Sequence, residues 1–489
     1  MVKIDNGHAS QHGYSRFGLV SSLLPALLLL FFLTCWPDIV QGRALVVDWP
    51  WIPSLDLFLR FRLDGLSLLF ALIVSGVGTF VSLYSAGYIA GHRHHRRFFC
   101  YLHAFMLAML GLVLADNLLL LFVFWEATTV FSYLLIGFDH ESGSARENAR
   151  QSLLITAGGG LALLIGILLL KIAGGSYTIS SWLAGGDQVR EHLLYPFIFL
   201  AIFLGAITKS AQFPFHFWLP NAMSAPTPIS AFLHAATMVK AGVYLLMRFH
   251  PLLGGTVTWM ATLVVIGGIT AVWGAVQALG PRDLKRILAY TTLMALGILT
   301  MFLGGESTEA LTAAVTFLLV HALYKAALFL AVGSVDHQTG TRQLDRLGGL
   351  WRVMPITAIG VAAATLSMSG FPLFFGFIGK EIMYAGALAE SLFPGFAAVA
   401  ALIANALMVA VAAIVLFGPF AGRLVSPETP VEETRWLMWL GPVVMGGLGI
   451  LFGLIPEWVS YALIEPAVLS FHSAGEEIRL SIWHGFNLP

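Results

Sequence analysis

Apolar residues fill this chain in long blocks, and polar residues are concentrated in the short segments between them. A helix needs ~20 apolar residues to cross a hydrocarbon core ~30 Å thick. Thirteen stretches read as such spans: 17–36, 64–90, 98–115, 116–138, 152–173, 193–212, 228–249, 256–280, 286–304, 311–333, 354–391, 396–420 and 436–456. The first follows Arg16 as a secretory leader would. Its apolar run is longer than the ~7–15 residues of a leader's apolar region, so it reads as an anchor. The pattern predicts an all-α polytopic membrane protein.

Two prolines stand near a buried lysine: Pro214 in LGAITKSAQFPFHFWLP, just past the 193–212 stretch, and Pro372 in TLSMSGFPLFFGFIGKE, inside the 354–391 stretch. Proline removes an amide donor and clashes with the carbonyl four residues back, so both spans are predicted to break. A break at membrane depth is tolerated only where the freed backbone groups face protein or a wet cavity. The two prolines are 158 residues apart, and the same offset carries Glu126 to position 284, beside Lys285. Such a recurrence predicts two inverted, pseudo-symmetric halves, each with a discontinuous helix. The expected organisation is an anchor and extracytoplasmic segment at 1–63, then a translocation domain at 64–456. Its halves are expected near 98–250 and 256–420, with an extracytoplasmic tail at 457–489 that reads as cut short.

Composition removes the alternatives. Of 489 residues, 58% are hydrophobic and 11% are Asp, Glu, Lys or Arg, against ~25% charged in a soluble domain. Lys plus Arg balances Asp plus Glu at 26 each, which gives nucleic acid nothing to bind. Cys35 and Cys100 cannot ligate an iron–sulfur cluster by themselves. Neither a GxGxxG, a P-loop nor an HExxH occurs, so no cofactor and no metal site is expected.

Charge then sets sidedness. With the Arg93-His94-His95-Arg96-Arg97 loop placed in the cytoplasm, fifteen Lys and Arg residues fall on that side and seven on the other. Arg248 is counted among the seven, and Lys285 among the fifteen. This asymmetry predicts a cytoplasmic N-terminus. Trp49 and Trp51 suggest an interfacial belt on the outer side.

Four lysines remain inside spans: Lys209, Lys240, Lys325 and Lys380. Glu126, His234 and His321 join them, and Glu381 follows Lys380. An ionised group at mid-bilayer costs ~2.5–3.5 kcal/mol on insertion scales, so four lysines cost on the order of 10 kcal/mol unless they face protein or water. His321 and Lys325 are four apart, hence on one helix face. Each histidine alone reads more readily as hydrogen-bonded packing than as a proton relay; a lysine in the same helix strengthens the relay reading.

The blocks DGLSLLFALIVSGVGTFVSLYSAGYIAGH, FVFWEATTVFSYLLIGF, KSAQFPFHFWLPNAMSAPTPISAFLHAATMVKAGVYLLMRF, DLKRILAYTTLMALGILTMFLGG, HALYKAALFLAVGSVDHQTGTRQLDRLGGL and SGFPLFFGFIGKE together resemble the antiporter-like family. That family includes proton-channel subunits of respiratory complex I, membrane-bound hydrogenases and Mrp-type antiporters. Within it, Lys240 after HAATMV, LAYTTLMALG and the terminal SIWHGFNLP are most similar to the large A-type Mrp subunits. The resemblance implies that Glu126 and Lys209 form a coupled pair in the first half-channel. It implies that His234 and Lys240 match a connecting helix, His321 and Lys325 a mid-membrane bridge, and Lys380 the terminal lysine of the second half-channel. It also implies further helices after the WHGFN phrase and one more before DGLSLLFALI.

The expected activity is therefore proton translocation within a multisubunit sodium or other monovalent cation/proton antiporter. Its partners would be other subunits of that complex, and its site the bacterial inner membrane. Such a chain is a secondary transporter subunit rather than an enzyme. Two rivals stand beside this reading: a proton-pumping arm of an NADH dehydrogenase-like or hydrogenase complex, and a membrane subunit for inorganic carbon uptake.

Overall fold

The computed structural model describes residues 14–52, 54, 57–182, 186–390, 392–424, 430–473 and 478–481. Lys3, Gly185 and most of the SIWHGFNLP phrase lie outside the described residues.

Eleven helices among the described residues are long and apolar enough to cross a membrane. In chain order with two shorter apolar helices they are α1 (Arg16–Val40), α2 (Gly65–Tyr88), α3 (His95–Leu114), α4 (Leu118–Ile136), α5 (Gly143–Gly174), α6 (Tyr195–Lys209) and α7 (Thr227–Leu253). Then follow α8 (Val257–Gln277), α9 (Leu284–Phe302), α10 (Thr308–Thr339) and α11 (Pro355–Ser369). A further short helix α12 (Phe375–Leu388) precedes α13 (Pro394–Phe420) and α14 (Trp436–Leu454). Every predicted span contains one of these helices. The stretches at 193–212 and 354–391 hold only shorter pieces, because their prolines end the helices early.

Local signals set the ends. Asp64, Asn117, Ser142, Thr256, Asp283 and Ser307 each cap a helix by accepting from an amide of its first turn. α5 and α10, 32 residues each, both stop at a left-handed glycine, Gly175 and Gly340. Those paired lengths belong to a longer series. α3 to α7 run 20, 19, 32, 15 and 27 residues, and α8, α9, α10, α11 and α13 run 21, 19, 32, 15 and 27. With α11 and α12 taken as one broken span, each series crosses five times, an odd number, so a second series following the first starts from the opposite end. The fold is thus an inverted repeat. The offset between equivalent helices drifts, however. Glu126 sits mid-helix in α4, whereas Lys285 is the second residue of α9, so the match by constant spacing does not hold for that pair.

Polar contacts sort the connections into two ends. At one end lies an antiparallel hairpin of β1 (Leu45–Ile52) and β2 (Leu57–Leu63), which the apolar pattern did not predict. There the Asp116 amide donates to Arg60 O (2.9 Å), the Gly255 amide to Glu306 Oε1 (2.6 Å) and the Trp36 indole to Ala462 O (2.8 Å). At the other end the Ser15 amide donates to Ala86 O (3.0 Å), that of Gly349 to Ala421 O (2.8 Å) and that of Ile356 to Glu433 Oε2 (2.7 Å). The expected tail is not bare chain: helical turns span Pro456–Val459, Ser460–Ile464 and Glu465–Leu469, and the Leu66 amide donates to Ser470 Oγ (3.1 Å).

Burial reassigns two of the charges counted to the loops. Arg248 is not a loop charge but a buried side chain of α7, and Lys285 is buried at the start of α9. The apolar central stretches of α7 and α10 are wholly buried inside the molecule, whereas that of α1 is mostly bare. Apolar residues all round a helix are what such enclosure requires.

Candidate functional site: a buried series of ionisable groups

Lys209 is the last residue of α6, where the chain leaves the helix for the Ser210–Pro214 break. Its ammonium donates to Trp125 O (2.8 Å) and Thr129 Oγ1 (2.7 Å) and stands 4.7 Å over the Trp125 ring. The ring face and the end of the helix dipole both favour a cation there. Glu126, one residue after Trp125, interacts with it electrostatically, yet Glu126 Oε1 is buried without a hydrogen-bond partner. The predicted pair is therefore present as neighbours, with the lysine hydrogen-bonded to the α4 backbone.

Glycines in α5 make room for Glu126 and for Thr208, the residue before Lys209. A Cβ at Gly160 would collide with Glu126 Oε1, and one at Gly159 with Thr208 Oγ1. Neither glycine was expected at the site, although three adjacent glycines inside an apolar span signal close helix approach.

The second group lies on α7, α9 and α10. α7 is itself broken: Thr227–Ala235 ends before a tight turn at Met238–Lys240, and Ala241–Leu253 continues. No proline marks this break. Lys240, in the turn, donates to Leu318 O (3.0 Å) of α10. Lys325 of α10 donates to Leu288 O (3.0 Å) and to Thr291 Oγ1 of α9. His321 and His234 are fully buried with both ring nitrogens unpartnered by protein. His321 packs 5.4 Å from Tyr324, and His234 5.8 Å from Phe329. His321 interacts electrostatically with Lys240, Lys325 and His234, and His234 in turn with Lys325 and Lys285. Lys285, which donates to Ala225 O (2.6 Å), is a member of the group that its place among cytoplasmic loop charges concealed.

Ser210 joins the groups. Its hydroxyl donates to Val239 O (2.6 Å), tying the residue after Lys209 to the residue before Lys240. Gly242 lets α7 approach Ala206 O and Ser210 Oγ at that crossing.

At the second break, Gly370 adopts φ +76° and Phe371–Phe374 link α11 to α12 around Pro372. Lys380 of α12 folds back over Gly370, and its ammonium donates to Ser369 O (2.7 Å). Ser369 ends α11 as Lys209 ends α6. The two breaks thus each carry an ammonium, supplied from opposite sides of the gap. Among the described residues no three His, Cys, Asp or Glu gather as a metal site.

Broken helices at membrane depth, with ionisable side chains gathered inside, define a multi-pass membrane protein built to hold charge in its interior. The chain belongs to the NADH:quinone oxidoreductase/Mrp antiporter transmembrane family, whose model matches residues 115–417. A second model, complex I chain 5 N-terminus, matches residues 49–99. The probable K(+)/H(+) antiporter A/B subunit of Rhizobium meliloti is 42% identical over 96% of this chain and 48% of its own length. The Na(+)/H(+) antiporter A subunit of Alkalihalophilus pseudofirmus is 39% identical over 95% of this chain and 62% of its own. The chain therefore spans about half to three fifths of these relatives' lengths. Among solved structures, the Mrp complex from Dietzia sp. DQ12-45-1b aligns with TM-score 0.87 and 38% identity over 96% of this chain and 51% of that one. An archaeal membrane-bound sulfane sulfur reductase shares the fold, with TM-score 0.81 at 20% identity over 93% of this chain and 92% of that one.

Proposed function

We propose that this chain is a proton-translocating subunit of a multisubunit monovalent cation/proton antiporter, working with other membrane subunits and driven by the proton gradient. The observation that carries the reading is the run of buried ionisable groups from Glu126–Lys209, across Ser210–Val239, to Lys240, His321, Lys325 and His234. Lys380 stands at the second break. Relatives named as Na(+)/H(+) and K(+)/H(+) antiporter subunits support the activity.

In this mechanism a proton resides on one member at a time. A lysine near Glu126 keeps its proton, because opposite charge favours the charged form; drawn into a dry site it releases it. The imidazoles of His234 and His321, whose nitrogens are free of protein partners, pass protons between lysines. The halves at 98–250 and 256–420 serve as the two half-channels, with 1–63 as anchor and outer segment. The positive end faces the cytoplasm of a bacterial inner membrane, and the hairpin end faces outward. The electrical part of the drive is ~2.3 kcal/mol per charge per 100 mV.

The test is cation-dependent proton movement in everted vesicles of a host lacking its own antiporters, carrying this chain with its neighbouring subunits. Glu126→Ala and Lys209→Ala should abolish both the exchange and sodium-resistant growth while assembly persists. Full exchange in both variants would overturn the reading. Genes for a dehydrogenase or hydrogenase beside this one, in place of small antiporter subunits, would favour the redox-linked rival.

A further inference from the structure

The buried ion pair at the hairpin end is used by none of the steps above. Arg248 of α7 donates to Asp64 Oδ2 (2.6 Å) and Oδ1 (2.9 Å), to Ser67 Oγ (2.8 Å) and, through Nε, to the Tyr244 hydroxyl (3.1 Å). Both partners are nearly fully enclosed, at 4% and 6% side-chain exposure. Asp64 also caps α2 by accepting from the Ser67 amide (3.0 Å).

Two neighbouring features give the pair a direction. Lys240, Tyr244 and Arg248 follow at intervals of four, so they line one face of α7 from the mid-depth turn to the hairpin end. On the outer side, a pocket of about 490 Å³ reaches Asp64 and is walled by Arg43, Arg62, Glu465, Ser470 and His472. An enclosed ion pair whose carboxylate member lines a partly polar pocket, with Tyr244 and a buried lysine following on the same helix face, is more than packing requires. Intramembrane ionisable groups of this kind mark pathways.

We infer that the Lys240–Tyr244–Arg248 face is a proton route between the mid-depth lysines and the hairpin-end pocket, and that the Asp64–Arg248 pair is its gate. The inference rests on the antiport reading and extends it to a point of access. With the pair closed, the guanidinium fills the passage and its fixed positive charge repels a hydrated proton. With the pair parted, water from the pocket reaches Tyr244. When Lys240 has passed its own proton inward, a proton carried by that water ends on its amine, which becomes an ammonium again. Asp64 and Arg248 exchange no proton with it and act as positioning residues.

The experiment uses the assembled complex in vesicles, with Cys35 and Cys100 replaced by serine and Ser67→Cys as a reporter just behind Asp64. Arg248→Lys and Arg248→Gln should each let an imposed proton gradient decay several-fold faster without any transported cation. They should also make the reporter reactive to a membrane-impermeant thiol reagent applied from the hairpin side. Adding Lys240→Met should stop the leak and leave the labelling. With the native pair, the reporter should label faster during turnover than at rest. A tight membrane and unreactive reporter in variants present at normal levels would overturn the gate, as would a leak that survives Lys240→Met. If the Arg248 variants do not accumulate, labelling of the native pair that fails to rise on turnover overturns it equally. Absence of cation-dependent proton movement in the parent complex would instead defeat the antiport reading, while leak and labelling still decide the gate.

Discussion

Lys209, Lys240, Lys325 and Lys380 each place their ammonium against a backbone carbonyl of a helix or a helix end. A carbonyl already engaged in a helix has a second lone pair to offer, so the acceptor costs the fold nothing extra. Thr129 and Thr291 add a hydroxyl for Lys209 and Lys325. Thr129→Val should therefore leave Lys209 one acceptor short, at about 1–3 kcal/mol, read as a lower unfolding temperature of the detergent-purified protein and slower proton movement. The glycines of α5 provide a sharper pair. Gly158 has open space at its Cβ position, whereas Gly160 has Glu126 Oε1. Gly158→Ala should be silent in transport and should stabilise α5 by about 0.5–1 kcal/mol. Gly160→Ala should cost about 1–3 kcal/mol as overpacking and lower proton movement by displacing the carboxylate. Equal effects of the two substitutions would refute this placement. The identities of Lys209, Lys240, Lys325 and Lys380, of Glu126 and of His234 and His321 were legible in the sequence, since a polar residue stands out in an apolar block; Lys285, read as a loop charge, was not. Which carbonyl each lysine meets was not, because those acceptors are backbone atoms whose positions depend on how the helices meet.

Breaks are the feature of interest among the elements. Pro214 and Pro372 announce two of them, because proline cannot donate the bond that would continue the helix. The third, at Ala236–Lys240, has no such signal; Thr237 donates its hydroxyl to Phe232 O (2.7 Å), and packing holds the turn. At the second break the left-handed φ of Gly370 and the Lys380 stem lying over it leave no room for a side chain. Gly370→Ala should cost about 1–2 kcal/mol in backbone strain and push Lys380 away from Ser369. The expected result is a drop in cation-dependent proton movement with the protein still inserted; unchanged movement would show that Lys380 does not need this position. The β1–β2 hairpin was missed because its residues, Trp49 and Trp51 among them, read as an interfacial belt, and both are indeed exposed.

For the molecule as a whole, the Asp64–Arg248 pair joins α2 to α7 across 184 residues of chain. Asp64→Asn should leave the Arg248 charge enclosed without its counter-ion and lower stability by about 3–5 kcal/mol, read as a lower unfolding temperature of the detergent-purified protein. An unchanged unfolding temperature would mean that Arg248 does not depend on Asp64.

The sequence by itself determined that this is a membrane protein, roughly where its helices lie, where two of them break and most of the ionisable side chains that are taken inside. It could do so because the cost of a charge in hydrocarbon and the missing amide of proline act locally, wherever the chain goes next. Only the tertiary structure decided that Arg248 and Lys285 are interior, that Ser210 bridges Lys209 to Lys240, and that α5 yields its side chains to Glu126 and Thr208. Those outcomes depend on which helices touch, and contact between distant segments is settled by how whole helices pack rather than by any one stretch of residues.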